Sequence, residues 1–91
     1  MRVKYSDAVV EALGDVPSAV QKAFFKQTKL LQQNLRHPSL RAKKYDEAND
    51  RWQARVNRGW RFYFKVEDDT YFITELIPHP RNDRARAQQK V

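Results

Sequence analysis

The sequence predicts an α+β fold in which an N-terminal helical hairpin packs on an antiparallel β-sheet. Two patterns predict it: apolar residues at helical spacing up to Leu35, and strict alternation of apolar and polar residues from Trp52 to Val66. A third observation sets the scale. A chain of 91 residues holds one modest core that needs no covalent staple, and it has no cysteine from which to make one.

Arg2 to Tyr5 is short and weakly alternating, which suits an opening strand. Ser6 or Asp7 can cap a helix whose apolar residues Val9, Val10 and Leu13 share a face, and Gly14 is expected to end it. Ser18 to Gln21 has the form of a capping box. A long helix follows, with Val20, Phe24, Leu31 and Leu35 in its stripe and Ala23 and Leu30 beside them. Asn34 to Pro38 stops it, because a residue before proline is pushed out of the helical region. The short link from Gly14 to Pro17 makes the two helices an antiparallel hairpin.

The sheet is expected from the second half of the chain. Trp52, Ala54 and Val56 alternate with Gln53, Arg55 and Asn57; Trp60, Phe62, Phe64 and Val66 alternate with Arg61, Tyr63 and Lys65. A three-residue loop, Asn57 to Gly59, would place Gly59 at a left-handed bulge position and pair Val56 with Trp60. Ala54 then faces Phe62 and Trp52 faces Phe64 on the core side, while Gln53 opposes Tyr63 and Arg55 opposes Arg61 on the other. Glu67 to Thr70 is a turn, Tyr71 to Ile77 a third strand, and Pro78, His79 and Pro80 close it. From Arg81 to Val91 the chain is polar, a frayed helix or a disordered tail. Residues 1–81 are read as a single domain and 82–91 as a polar C-terminal tail.

The formal net charge is +7, and it is regional. Between Arg36 and Lys65 nine Lys or Arg stand against three acids, which accounts for +6 of the total. A concentration of this kind points to a polyanionic partner, RNA first among them. The absence of cysteine excludes disulfides and thiolate metal sites, and no signal peptide or membrane span is visible. The expected compartment is the cytoplasm. No glycine-rich phosphate loop and no metal-ligand spacing is present, so neither cofactor nor metal is expected.

Two arginines directly opposite one another on a sheet repel, and an anion between them turns that repulsion into binding. Arg55 and Arg61 are therefore the first candidates, with Glu75 as a possible partner from within the chain. Tyr63 and Gln53 share their face, so a base could stack on the ring while its phosphate meets the arginines. Arg41, Lys43 and Lys44 add phosphate-binding capacity from the basic segment. His37 and His79 are the residues that titrate unperturbed near neutrality; His37 suits a helix end, and His79 is the better candidate for proton transfer. Metal-free cleavage is open to RNA, whose own 2′-hydroxyl can attack the adjacent phosphate if a protein supplies positioning, a base, an acid and cations.

The ordered set of Val3 to Ser6, Val20 to Phe24, His37 to Arg41, Trp52 to Val56 and Gly59 to Tyr63 resembles the RelE/ParE superfamily of toxins from type II toxin-antitoxin systems, over residues 2 to about 81. The resemblance implies a two-helix hairpin on an antiparallel sheet. For its RelE branch it implies an endonuclease that cuts mRNA on the ribosome without metal and is silenced by a cognate antitoxin protein. Arg55 then matches a basic residue of the first active-site strand, Arg61 the arginine that steadies phosphate, and His79 the basic residue or histidine after the last strand. The sequence departs from the pattern at three places: Gln53 stands where lysine is frequent, Pro80 where arginine is frequent with Arg81 next, and no tyrosine follows between Asn82 and Val91. Tyr63 or His79 would have to replace that tyrosine. The competing readings are a ParE-like toxin that inhibits DNA gyrase by protein contact and an RNA-binding domain without catalysis.

Overall fold

The computed structural model describes residues 1–78; His79, Pro80, Arg81 and the tail lie outside the described residues. The chain opens with β1 (Arg2–Tyr5), forms the helices α1 (Asp7–Asp15) and α2 (Ser18–Gln33), and makes one 3₁₀ turn (Pro38–Leu40). Four strands follow: β2 (Lys43–Asp46), β3 (Arg51–Asn57), β4 (Trp60–Glu67) and β5 (Thr70–Pro78). The sheet order is β1-β5-β4-β3-β2. The fold is the expected α+β arrangement, with one amendment: β1 pairs parallel to β5, so the sheet is mixed. No helix among the described residues is long and apolar enough to cross a membrane.

Both helices lie on the same face. Val9, Val20, Phe24 and Leu31 bury against Ala54, Val56, Phe62, Phe64, Ile73 and Leu76, with Leu40 of the 3₁₀ turn closing one end. Phe24 meets Phe62 edge-on at 5.6 Å between ring centres, an arrangement worth roughly 0.5–1.5 kcal/mol beyond area burial.

Two expectations about the helices change. Gly14 lies inside α1; the helix ends at Val16, which is extended because Pro17 follows it. Ser18 is the first helical residue of α2 rather than its cap, so no capping box forms. Gln21 instead donates to the Leu13 carbonyl, tying the end of α1 to α2. Ser6 caps α1 as expected: its Oγ accepts from the Val9 amide at 3.2 Å and donates to the Thr74 carbonyl at 3.0 Å. Ser6→Ala should therefore cost about 1–2 kcal/mol in urea unfolding, one cap and one strand contact together; an unchanged midpoint would show that water replaces both.

The β3–β4 register is the expected one over four pairs: Trp52 with Phe64, Gln53 with Tyr63, Ala54 with Phe62 and Arg55 with Arg61. The loop is not. Asn57 pairs with Trp60 across a two-residue turn, and a bulge between Arg55 and Asn57 absorbs the extra residue. Gly59 is not left-handed; its amide donates to the Asn57 side-chain oxygen at 2.9 Å, and that bond shapes the turn. A second bulge separates Tyr63 from Phe64 where they face β5, so β5 has one extra residue, Thr74, between Glu75 and Ile73. Strand β2 is new, a short edge strand with its own irregularity between Lys44 and Asp46.

Candidate nucleic-acid interface

The sheet face turned away from the helices carries the candidate residues. Alternation along β3 and β4 puts Arg51, Gln53 and Arg55 beside Arg61, Tyr63 and Lys65, and Lys43 joins them through its pairing with Gln53. The structure thus brings Arg55, Arg61, Gln53, Tyr63 and Lys43 to one surface.

Tyr63 occupies its centre and is not open. It is only 3% exposed. Gln53 donates to its hydroxyl at 2.9 Å, the Arg51 guanidinium lies over the ring at 4.3 Å, and Tyr45 packs edge-on at 5.4 Å. A base could stack on Tyr63 only after Arg51 and Tyr45 move, so the expected stacking platform is corrected to a buried anchor. Glu75, opposite Tyr63 on β5, forms an ion pair with Arg51. The acid considered as a partner for Arg55 or Arg61 is thereby engaged elsewhere.

The two arginines differ. Arg61 turns back along the strand, and its Nη1 donates to the Asn57 and Trp60 carbonyls at 3.1 Å each. This directs one guanidinium toward the hairpin turn and eases the repulsion between neighbours. Arg55 is half-buried and makes no side-chain ion pair among the described residues. An approaching anion would find Arg55 uncompensated and Arg61 already oriented by backbone oxygens.

The remaining candidates separate. Lys44 belongs to the helix-side face, 5.9 Å from the Trp52 ring centre, and its ammonium meets Asp50 at 2.9 Å. That hydrogen bond raises its pKa and occupies the charge. Arg41 ends the 3₁₀ turn in a left-handed conformation, φ 47°, off the open face but beside Arg55 at the sheet edge. His37 caps the same turn: its Nδ1 accepts from the Ser39 amide at 3.2 Å, which leaves Nε2 to carry the ring proton. This is a structural task, but at the start of the 3₁₀ turn rather than as a cation beside the C-terminal carbonyls of α2. His79 and Arg81 lie outside the described residues.

Sequence reasoning missed Arg51, Tyr45 and Gln27. Arg51 enters the sequence reading only as charge, although its parity on β3 already places it beside Gln53. Gln27 could have been found from the helical stripe, which leaves a gap between Phe24 and Leu31 where a side chain must be buried. Gln27 fills that gap at 5% exposure and donates to the carbonyls of Arg55 at 2.9 Å and Ser39 at 3.2 Å.

No known family model and no curated protein matches the sequence. Solved structures do. The RelE-RelB complex from Pyrococcus horikoshii contains a chain of the same fold, with a TM-score of 0.75 and 26% identity over 88% of this chain and 96% of that one. This chain belongs to the RelE/ParE superfamily of toxins. Other members share the fold at lower identity. A YoeB dimer from Staphylococcus aureus superposes with a TM-score of 0.72 at 15% identity, covering 87% of this chain and 97% of that one. YafQ from E. coli gives 0.62 at 14%, covering 90% and 98%. In this RelE/ParE fold the helices shield one face of the sheet, and the basic cross-strand pair stands on the face they leave open.

Proposed function

We propose that the protein is the toxin of a toxin-antitoxin pair and that it cleaves mRNA on the ribosome without a metal. The observation that carries this reading is the Arg55 and Arg61 pair on the open face, with Glu75 turned to Arg51. In the proposed step the RNA 2′-hydroxyl loses its proton to a base and attacks the adjacent phosphorus, and the 5′-oxygen leaves with a proton from an acid. Arg55 and Arg61 hold the phosphate as charge grows on its oxygens. His79, directly after the last residue of β5, is assigned a proton transfer, and Arg81 a further phosphate contact. Lys43 and Gln53 would steady the flanking chain. Tyr63 is too enclosed for proton transfer in this conformation, which leaves that task to His79.

The partner follows from the same surface. The relatives from Pyrococcus horikoshii and Staphylococcus aureus were solved as RelE-RelB and YoeB-YefM complexes. A cognate antitoxin here would lay carboxylates against the arginine face or displace an element beside it.

A gyrase-directed, ParE-like action is the second reading, favoured by the lack of any tyrosine after Tyr71. Pulse labelling after brief induction in a bacterial host separates the two. Amino-acid incorporation should stop within minutes, with new transcript ends inside coding regions. Continued protein synthesis accompanied by altered DNA supercoiling would overturn the nuclease reading.

A further inference from the structure

Outside the arginine pair, the chain builds a second cationic recess. Strand β2 pairs with β3 at Arg51, Trp52 and Gln53, so among the described residues the outer edge of β3 beyond them has no strand partner. A groove of about 640 Å³ opens there, between α2, the 3₁₀ turn and the strand edge, lined by Lys26, Gln27, His37, Ser39, Arg41 and Arg55 among others. Among the described residues, none that lines it is acidic. Elsewhere in the basic segment Lys44 is met by Asp50 and Glu47, and Arg51 by Glu75. Lys26, Arg41 and Arg55 make no ion pair among the described residues.

The groove is held in shape. Gln27 bridges the Ser39 and Arg55 carbonyls from below, and the Nδ1 of His37 is tied to Ser39, so its Nε2–H is the donor left over. Arg41 is kept in a left-handed conformation that disfavours a side chain. Three cations around a cavity that has no carboxylate among its described lining residues repel one another, and an anion would relieve that repulsion.

We propose that this groove binds a backbone phosphate of single-stranded RNA that flanks the segment on the open face. The proposal rests on the nucleic-acid reading of the open face and extends it: Arg55 belongs to both surfaces, by register beside Arg61 and by position at the groove wall. Contact here is to phosphate and carries no base preference.

The test is fluorescence anisotropy of labelled single-stranded RNA against the full chain over a range of salt, for the native protein and for Lys26→Gln combined with Arg41→Gly. Glycine accepts the left-handed backbone of position 41, so the melting temperature should hold or rise. Lys26→Gln alone, at an exposed helix position, serves if the pair folds poorly. The double variant should bind roughly tenfold more weakly at low salt, equally for unrelated sequences. Its salt slope should fall by about 0.7, the share of the one phosphate that is no longer neutralised. An unchanged slope, a weakening confined to one RNA sequence, or a native protein that binds no RNA overturns the groove. Inorganic phosphate that shifts the Ser39 and Arg41 amides in NMR while the double variant keeps its RNA affinity also overturns it, in favour of a free-anion site. A ribosomal cleavage assay of the native protein runs in parallel. Native cleavage with an unchanged slope in the variant removes the groove alone; a reduced slope with no native cleavage removes the nuclease reading and leaves the groove standing.

Discussion

Arg55→Gln is expected to lower RNA cleavage by about 10²- to 10³-fold while leaving the fold as stable as before or slightly more so. The first figure is the usual effect of removing one group that stabilises charge developing in the transition state. The second follows from the cross-strand neighbour: removing one of two facing like charges relieves about 0.2–1 kcal/mol. Nothing offsets that gain, because Arg55 makes no ion pair among the described residues. Arg61→Gln should behave differently. It removes the donor to the Asn57 and Trp60 carbonyls, so activity and stability should fall together, the latter by about 1–2 kcal/mol. Thermal melts at low salt beside a ribosome cleavage assay measure both. If Arg55→Gln melts earlier and still cleaves, the arginine is structural and the active surface lies elsewhere.

The second large effect is expected on stability. Gln27→Leu should destabilise the protein by roughly 2–4 kcal/mol, although it places an apolar side chain in a buried helix position. The reason lies in the groups left behind. Gln27 is the hydrogen-bond donor to the Arg55 and Ser39 carbonyls, and each oxygen deprived of its partner away from water costs about 1–3 kcal/mol. Urea unfolding gives the total. Amide exchange gives the location: Leu40 and Arg41, whose amides bond to His37 and Pro38, should lose protection first as the 3₁₀ turn loosens. A variant as stable as the native chain, with exchange unchanged at those amides, would mean that the turn is held by Leu40 packing alone.

The helices and the faces of the strands were determined by the sequence alone. An amphipathic period and a proline boundary are local properties, so α2 could be read from Val20, Phe24, Leu31 and Pro38, and its burial follows that stripe. The two-residue period of a strand is equally local. It placed Arg55 opposite Arg61 and Ala54 opposite Phe62, and a bulge at the hairpin preserved those pairs even though the turn was shorter than expected. Apart from the end of α1, the start of α2 and the Asn57 to Trp60 turn, the tertiary structure decided the rest, because the remaining features depend on which segments the fold brings together. Nothing in Arg2 to Tyr5 says that β5 will be its partner, or that the two run parallel. Four residues of β2 carry too little pattern to announce a strand, yet where β2 stops is what opens the β3 edge. Tyr63 looks like an exposed ring until Arg51 and Tyr45 cover it, and Glu75 chooses Arg51 because the register sets it beyond that ring. Charge placement is local and legible, whereas charge compensation depends on which side chains the fold brings within reach of one another, and it is compensation that leaves Arg55 ready for an anion.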